Sequence, residues 1–282
     1  MKIITSVKEM KKWSRQVHCE GKTIGLVPTM GCLHEGHLNL VNASIKECEY
    51  TVVSIFINPT QFGPGEDFES YPSSIETDIE TLQNIGVDAL FYPDQKTLYP
   101  ENFQTFVEVL DKTKYLCGKN RPHFFRGVTT IVLKLFNIVN PHTAFFGEKD
   151  RQQLEIIKTM VRDLNLEVSI IGKPIIRESD GLAMSSRNQY LSIEDRTTAI
   201  TLSKALESAE AHIMQGERSA KIIRTKIRQI IEAKNTAKVD YISICDPESF
   251  SEKNKINSRT LIALAVRVGK ARLIDNRIIE GV

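Results

Sequence analysis

Residues 23–57 read TIGLVPTMGCLHEGHLNLVNASIKECEYTVVSIFI, and this stretch decides the fold. Thr23 to Val27 is a short apolar run ending at Pro28, which predicts a buried strand. Gly31 and Gly36 punctuate the turn that follows. From His34 to Glu47, Leu38, Val41 and Ile45 recur at helical spacing. Tyr50 to Ile57 is β-branched and aromatic, a second strand, and Asn58-Pro59 stops it. Strand and helix thus alternate, as in a parallel sheet covered by helices.

The alternation continues downstream. A polar loop runs from Thr60 to Ser74. Ile75 to Ile85 predicts a helix, and Gly86 suits the left-handed position after it. Strands are expected at Ala89–Tyr92, Thr143–Phe146 and Val168–Ile176, the last interrupted by Gly172 and Pro174. Helices are expected at Val128–Val139 and Asp150–Leu164. After about residue 188 the pattern changes to two helical stretches, Ile193–Gln215 and Ser219–Lys234, separated by Gly216. Strands follow at Val239–Cys245, Thr260–Val268 and Arg272–Ile274. The expected class is α/β: a Rossmann-like parallel sheet with helices on both faces plus a smaller C-terminal α+β domain. The domains are residues 1–180 and 181–282.

Composition narrows the function. The chain has 282 residues, 41% hydrophobic and 26% charged, and a net charge of +2, which describes an ordinary globular protein without the basic excess of a nucleic-acid binder. Lys221, Arg224, Lys226 and Arg228 are read as a solvated helix face. The five cysteines, Cys19, Cys32, Cys48, Cys117 and Cys245, are scattered and never spaced C-x-x-C, which argues against a disulfide framework or a zinc knuckle. Met1 to Gln16 lacks the apolar core of a signal peptide, and no run is long enough to span a bilayer. A cytoplasmic protein with no membrane partner is expected.

Four polar clusters follow predicted strands, where ligands bind in such sheets. The first is Pro28-Thr29-Met30-Gly31-Cys32-Leu33-His34-Glu35-Gly36-His37. His34 and His37 share one helix face beside unpaired N–H groups, an arrangement suited to a polyphosphate. Helix capping is the plainer reading. Zinc fits poorly, because the spacing is not i,i+4 and no third ligand is evident. The second is Asn58-Pro59-Thr60-Gln61-Phe62-Gly63, where Gln61 can hold a hydroxyl or carboxylate or simply lie exposed in a turn. The third is Gly147-Glu148-Lys149-Asp150-Arg151-Gln152-Gln153, with Lys149 a point charge for phosphate and Asp150 a candidate N-cap. The fourth, Met184-Ser185-Ser186-Arg187 after Gly181, has the composition of a phosphate clamp or of a polar linker.

Taken together, the His pair, the Lys loop and the Ser-Ser-Arg loop resemble the nucleotidylyl-transfer superfamily with its HIGH-like and KMSKS-like motifs. PTMGCLHEGH, NPTQFG, FGEKDRQQ and DGLAMSSRNQYL, in that order, resemble the pantothenate synthetase family, most strongly from Thr23 to Leu191. The resemblance implies a ligase that joins pantoate to β-alanine with ATP and Mg²⁺ through a pantoyl adenylate, in a cytosolic homodimer. It implies that Met30, Gly31, Cys32, Leu33, His34, Glu35, Gly36 and His37 bind ATP, together with Gly147, Glu148, Lys149 and Asp150. His37 would be the catalytic histidine, with His34 and Lys149 beside it on the phosphates. Ile176 would meet the adenine through its backbone, and Met184, Ser185, Ser186 and Arg187 would close over the phosphates. Gln61 and Gln153 would bind pantoate, Gln61 also lying near β-alanine. On this reading residues 1–180 bind ATP and pantoate, and residues 181–282 close over the site. The rival enzymes, a dinucleotide-forming nucleotidyltransferase and an aminoacyl-tRNA synthetase fragment, lack NPTQFG and the Gln153 loop or need an anticodon-binding extension. A nucleotide sensor without turnover is the non-enzymatic alternative. The chain departs from the family at R-P-G-H-F: His123 stands for the family's Gly and Phe124 for its His. Cys32 replaces a commoner Ala.

Overall fold

The computed structural model describes residues 1–234 and 236–281. Among them, six strands form one parallel sheet: β1 (Lys2–Ile4), β2 (Ile24–Thr29), β3 (Tyr50–Ile55), β4 (Ala89–Phe91), β5 (Thr143–Gly147) and β6 (Ser169–Lys173). Their spatial order is β1-β4-β3-β2-β5-β6, with every pair parallel. The helices are α1 (Val7–Cys19), α2 (Glu35–Glu47), α3 (Ile75–Asn84), α4 (Gln95–Leu98), α5 (Leu116–Asn120), α6 (Phe124–Val139), α7 (Arg151–Asp163), α8 (Ile193–Ala199), α9 (Thr201–Met214) and α10 (Ala220–Glu232). An antiparallel sheet of β7 (Ala237–Cys245), β8 (Thr260–Val268) and β9 (Ala271–Ile279) ends the chain.

The chain divides into two compact units. The first holds Met1–Leu110, Arg121–Glu148 and Gln153–Pro174; the second holds Asp111–Asn120, Lys149–Gln152 and the chain from Ile175 onward. In the first unit, the period of two along each strand sends alternate residues to opposite faces. Ile24, Leu26, Val52, Ala89, Phe91, Ala144 and Phe146 join the core that includes Met10 and Val17 of α1 and Val128, Val132 and Leu135 of α6. Val27, Val53, Ile55, Leu90 and Phe145 face Leu40 and Val41 of α2 and Leu82 of α3. Both faces of the sheet are therefore covered, which is why these strands are predominantly apolar. In the second unit, Leu202, Leu206 and Ile213 of α9 and Ile223, Ile227 and Ile231 of α10 pack on Ile242, Ile244, Leu264 and Val266. Arg224 and Arg228 of α10 pair with Glu252 and Glu232 at its surface.

Three expectations need correction. Pro28 does not end β2 but lies within it. The Thr23 and Thr29 carbonyls accept from Tyr50 and Phe56 on the β3 side, and the Ile24 carbonyl accepts from His142 on the β5 side. Alternation turns Pro28 toward β5, whose pairing with β2 stops at Leu26–Ala144. Its missing N–H therefore costs no ladder bond. The segment 193–215 is two helices, α8 and α9, meeting at Ile200. The last strand runs on to Ile279, because Asp275 and Asn276 are accommodated in it, buried. In addition, β1 and α1 form within the N-terminal stretch to which the sequence assigns no element.

Candidate functional site

Strand order places the switch point of the sheet between β2 and β5. The connections run outward through β3 and β4 on one side and through β6 on the other. Ligands bind beyond the carboxyl ends of the strands at such a point. The residues leaving β2 there are Met30 to His37, and those leaving β5 begin with Glu148.

The turn after β2 is strongly shaped. Gly31 and Cys32 both have positive φ, +84° and +51°, and Cys32 is buried in this left-handed conformation. His34 is the N-cap of α2, its Nδ1 accepting the Gly36 N–H at 3.1 Å. With Nδ1 used as acceptor, the neutral ring carries its hydrogen on Nε2. The His37 ring stacks on His34, with centroids 4.0 Å apart and 30° between planes. Capping and pairing on one face are thus combined in the same two residues. Met30 and Gly31 also line a cavity of about 500 Å³ with Ile55, Phe56, Ile57 and Asp78.

Gln61 belongs to the same unit and meets this loop directly. Its Nε2 donates to Met30 Sδ at 3.1 Å, and its Oε1 accepts from Asn58 Nδ2 at 3.0 Å. One amide hydrogen and further lone pairs remain for a ligand. Asn58 is buried and also donates to the Gly127 carbonyl of α6. The NPTQ turn therefore rests on α6, and Gly127 is the point of closest approach. Gln153, half-buried in the first turn of α7, makes no side-chain hydrogen bond among the described residues.

Lys149, Asp150, Ile176 and Met184–Arg187 belong to the second unit, while Gly147 and Glu148 belong to the first. Glu148 to Asp150 form a short 3₁₀ turn, the Lys149 carbonyl accepts from Asn276, and Lys149 has no carboxylate partner among the described residues. Ile176 and Met184 are brought together: the Met184 N–H donates to the Ile176 carbonyl at 3.0 Å, and Arg177 bridges Ala183. Arg177 forks onto the buried carboxylate of Asp275 at 2.7 and 2.9 Å, which raises the guanidinium pKa, and donates to the Gly181 carbonyl. Arg196 holds Glu178 and Asp180. Ser185 caps the turn Ser186–Tyr190 by accepting from Arg187 N–H, and Ser186 is buried. The Met184–Arg187 segment is thus a braced loop rather than a polar linker.

Three residues that shape the site escape the sequence reading. Asn58 reads there as a strand stop and as the first residue of the second cluster, with no partner assigned to it. Arg121 donates to both Glu66 oxygens and, at 3.1 Å, to the Gln61 carbonyl, while its guanidinium lies 3.8 Å over the Phe124 ring. The aromatic ring at 124 thus serves as a platform for Arg121. His123, exposed at the N-cap of α6, makes no cap hydrogen bond. Asp78 holds the Cys32 and Leu33 N–H groups. An R-P-x-F context could have flagged Arg121; nothing local in Glu76-Thr77-Asp78 flags Asp78.

A doubly wound sheet with a histidine pair at its switch point defines an α/β protein, and with the lysine turn and the Ser-Ser-Arg loop further along the chain it resembles the nucleotidylyl-transfer class. Comparison with known proteins carries this further. The family model for pantoate–β-alanine ligase matches residues 2–278. A pantothenate synthetase of Acetivibrio thermocellus is 52% identical over 280 residues, 99% of this chain and 100% of the relative. A crystal structure of pantothenate synthetase from Thermus thermophilus superposes with a TM-score of 0.94 at 40% identity, covering 100% of both chains. A Francisella tularensis pantoate–β-alanine ligase, solved with β,γ-ATP and β-alanine, superposes with a TM-score of 0.80 at 35% identity over 99% of this chain and 97% of that one. The chain belongs to the pantoate–β-alanine ligase family and is an enzyme of the ligase class.

Proposed function

We propose that this chain condenses (R)-pantoate with β-alanine to pantothenate, consuming ATP through a pantoyl adenylate and releasing AMP and pyrophosphate. The observation that carries the proposal is the stacked His34–His37 pair at the switch point, next to a loop whose Met30 is held by the Gln61 amide. Phosphate chemistry and carboxylate recognition are thereby supplied at adjacent positions. The ATP and β-alanine bound by the Francisella relative support the same substrates here.

The pantoate carboxylate attacks the α-phosphorus of ATP, and pyrophosphate leaves. Such transfers depend on alignment and charge neutralisation rather than on a covalent nucleophile. Burial agrees with this, pushing the Cys48 thiol up and the Cys245 thiol to about 11, so neither offers a thiolate as acyl carrier. Gln61 and Gln153 hold pantoate. His34 through Nε2–H, His37 and Lys149 face the phosphates, along with the Gly147–Asp150 backbone and the Met30–His37 backbone apart from the Cys32 and Leu33 N–H groups, which Asp78 already holds. Ile176 meets the adenine through its backbone, and Met184, Ser185, Ser186 and Arg187 close over the phosphates as the 181–282 domain closes over the site. The β-alanine amine then attacks the acyl carbon and expels AMP. The 60–74 and 177–188 loops keep water from the adenylate meanwhile.

Mg²⁺ is expected as the counter-ion of the triphosphate. The described residues contain no group of three or more His, Cys, Asp or Glu able to hold a metal, so no side chain is assigned to the ion and no step runs through it. The family resemblance adds a cytosolic homodimer; no helix among the described residues is long and apolar enough to cross a membrane. The test is product identity. Turnover should yield one AMP per pantothenate and require ATP, pantoate and β-alanine together. ADP and phosphate as products would refute the adenylate route.

A further inference from the structure

The carboxylate of Asp78 takes no part in the reaction set out above, yet it is 2% exposed in the first turn of α3. Oδ2 accepts the Cys32 N–H at 2.8 Å; Oδ1 accepts the Leu33 N–H at 2.9 Å and the Ser74 hydroxyl at 3.2 Å. Burying a carboxylate is costly unless donors surround it. Here three donors do, and the N-terminal end of the α3 dipole adds to them. No cationic side chain pairs with Asp78 among the described residues.

The two N–H groups come from a turn with little stability of its own. Positive φ at Gly31 is ordinary, but at Cys32 it places an L side chain in the left-handed region. Space there is tight as well. A β carbon on Gly31 would stand 3.1 Å from Ile55 Cγ2 and 3.2 Å from Asp78 Oδ2. The residue directly after the clamped pair is His34, the N-cap of α2, and His37 follows one turn later.

We infer that Asp78 is a positioning residue: anchored on α3, its carboxylate clamps the left-handed turn at Cys32 and Leu33 and sets the angle at which His34 and His37 are presented. It does a second thing by the same contacts. It fills from within two N–H donors that would otherwise attract a phosphate, leaving the triphosphate to the histidine pair. The inference rests on the reading that this pair handles ATP.

Asp78→Ala and Asp78→Asn in the full chain test it. Asp78 lines the cavity of about 500 Å³, so in the Ala variant formate can enter from solution and occupy the clamp. In both variants kcat for pantothenate formation should fall about 10- to 100-fold, the cost of a misplacement on the order of 1 Å. KM for pantoate should change by less than about threefold, since its holders are left in place. Formate should raise kcat of Asp78→Ala several-fold without affecting the wild type. Formamide, of similar shape but uncharged, should not, and Asp78→Asn, whose amide fills the clamp, should not respond to either. Wild-type kcat in either variant overturns the inference. So does a folded Asp78→Ala that loses turnover but gains nothing from formate, or gains as much from formamide. Should Asp78→Ala fail to fold, Asp78→Asn decides: parallel loss in kcat and pantoate affinity would mean general damage and overturn the assignment. A wild-type chain that makes no pantothenate refutes the functional reading instead, which no Asp78 variant can do.

Discussion

Replacing Gly127 with Ala strikes the site from outside it. Gly127 lies on α6 where the NPTQ turn crosses, and a β carbon there would stand 2.6 Å from the Thr60 carbonyl carbon and 2.7 Å from Gln61 N, with the Thr60 oxygen nearer still. Ordinary contact begins at 3.4 Å, and the opposing atoms are backbone, which cannot rotate aside. Relief requires the turn or α6 to move by about 1 Å, a displacement that costs about 10²-fold when it reaches a reacting or substrate-holding group. The overpacking itself should cost about 1–3 kcal/mol of stability. Asn58 would lose its bond to the Gly127 carbonyl, and Gln61 its orientation against Met30. Calorimetric titration should show pantoate binding weakened by one to two orders of magnitude, on the order of 10- to 100-fold, with ATP binding far less affected. A lower melting temperature should accompany it. A Gly127→Ala protein with wild-type melting and wild-type pantoate affinity would refute the argument that close packing on α6 sets Gln61.

Other outcomes follow from the same geometry. His37→Ala and Lys149→Ala should each slow adenylation by about 10²–10³-fold, as for other lost electrostatic contacts, with melting unchanged because neither is core; single-turnover kinetics checks this. Gln61→Ala and Gln153→Ala should weaken pantoate far more than ATP in titration, and equal losses would indicate a structural role. Stability should fall as pH drops below about 6.5: burial first, then the neighbouring His18, depress the His142 pKa from its ordinary 6.5. A depressed folded pKa means the unfolded chain takes up the proton first, so the contribution present above 6.5 is lost on acidification. Protonation at Nδ1 would also displace the Ile24 N–H it accepts. Melting curves from pH 7.5 to 5.5 should show this slope, reduced in His142→Asn.

Much of this arrangement is written locally. Strands β2, β3 and β5 are largely apolar because both faces are covered, and α2, α3 and α10 stand out as helical stretches in the sequence, α2 with His34 before it. What is not local was lost. β1 has only three residues and gives no period of its own, whereas α1 buries Met10, Ser14 and Val17 at helical spacing, a signal the sequence reading passes over. Pro28 reads as a terminator until the neighbour on its N–H side is known to be absent. The His pair, Gln61 and Lys149 stand out as polar residues after strands. Asn58, Asp78 and Arg121 reach partners distant in sequence, so only the folded chain reveals their targets.

The central claim is that the acid is activated on the nucleotide before the amine arrives. Labelled pyrophosphate supplied with ATP, pantoate and Mg²⁺ but no β-alanine tests it directly. The account predicts that label enters ATP, that omitting pantoate abolishes the exchange, and that AMP release without β-alanine is slow compared with full turnover. An exchange that absolutely required β-alanine would contradict it.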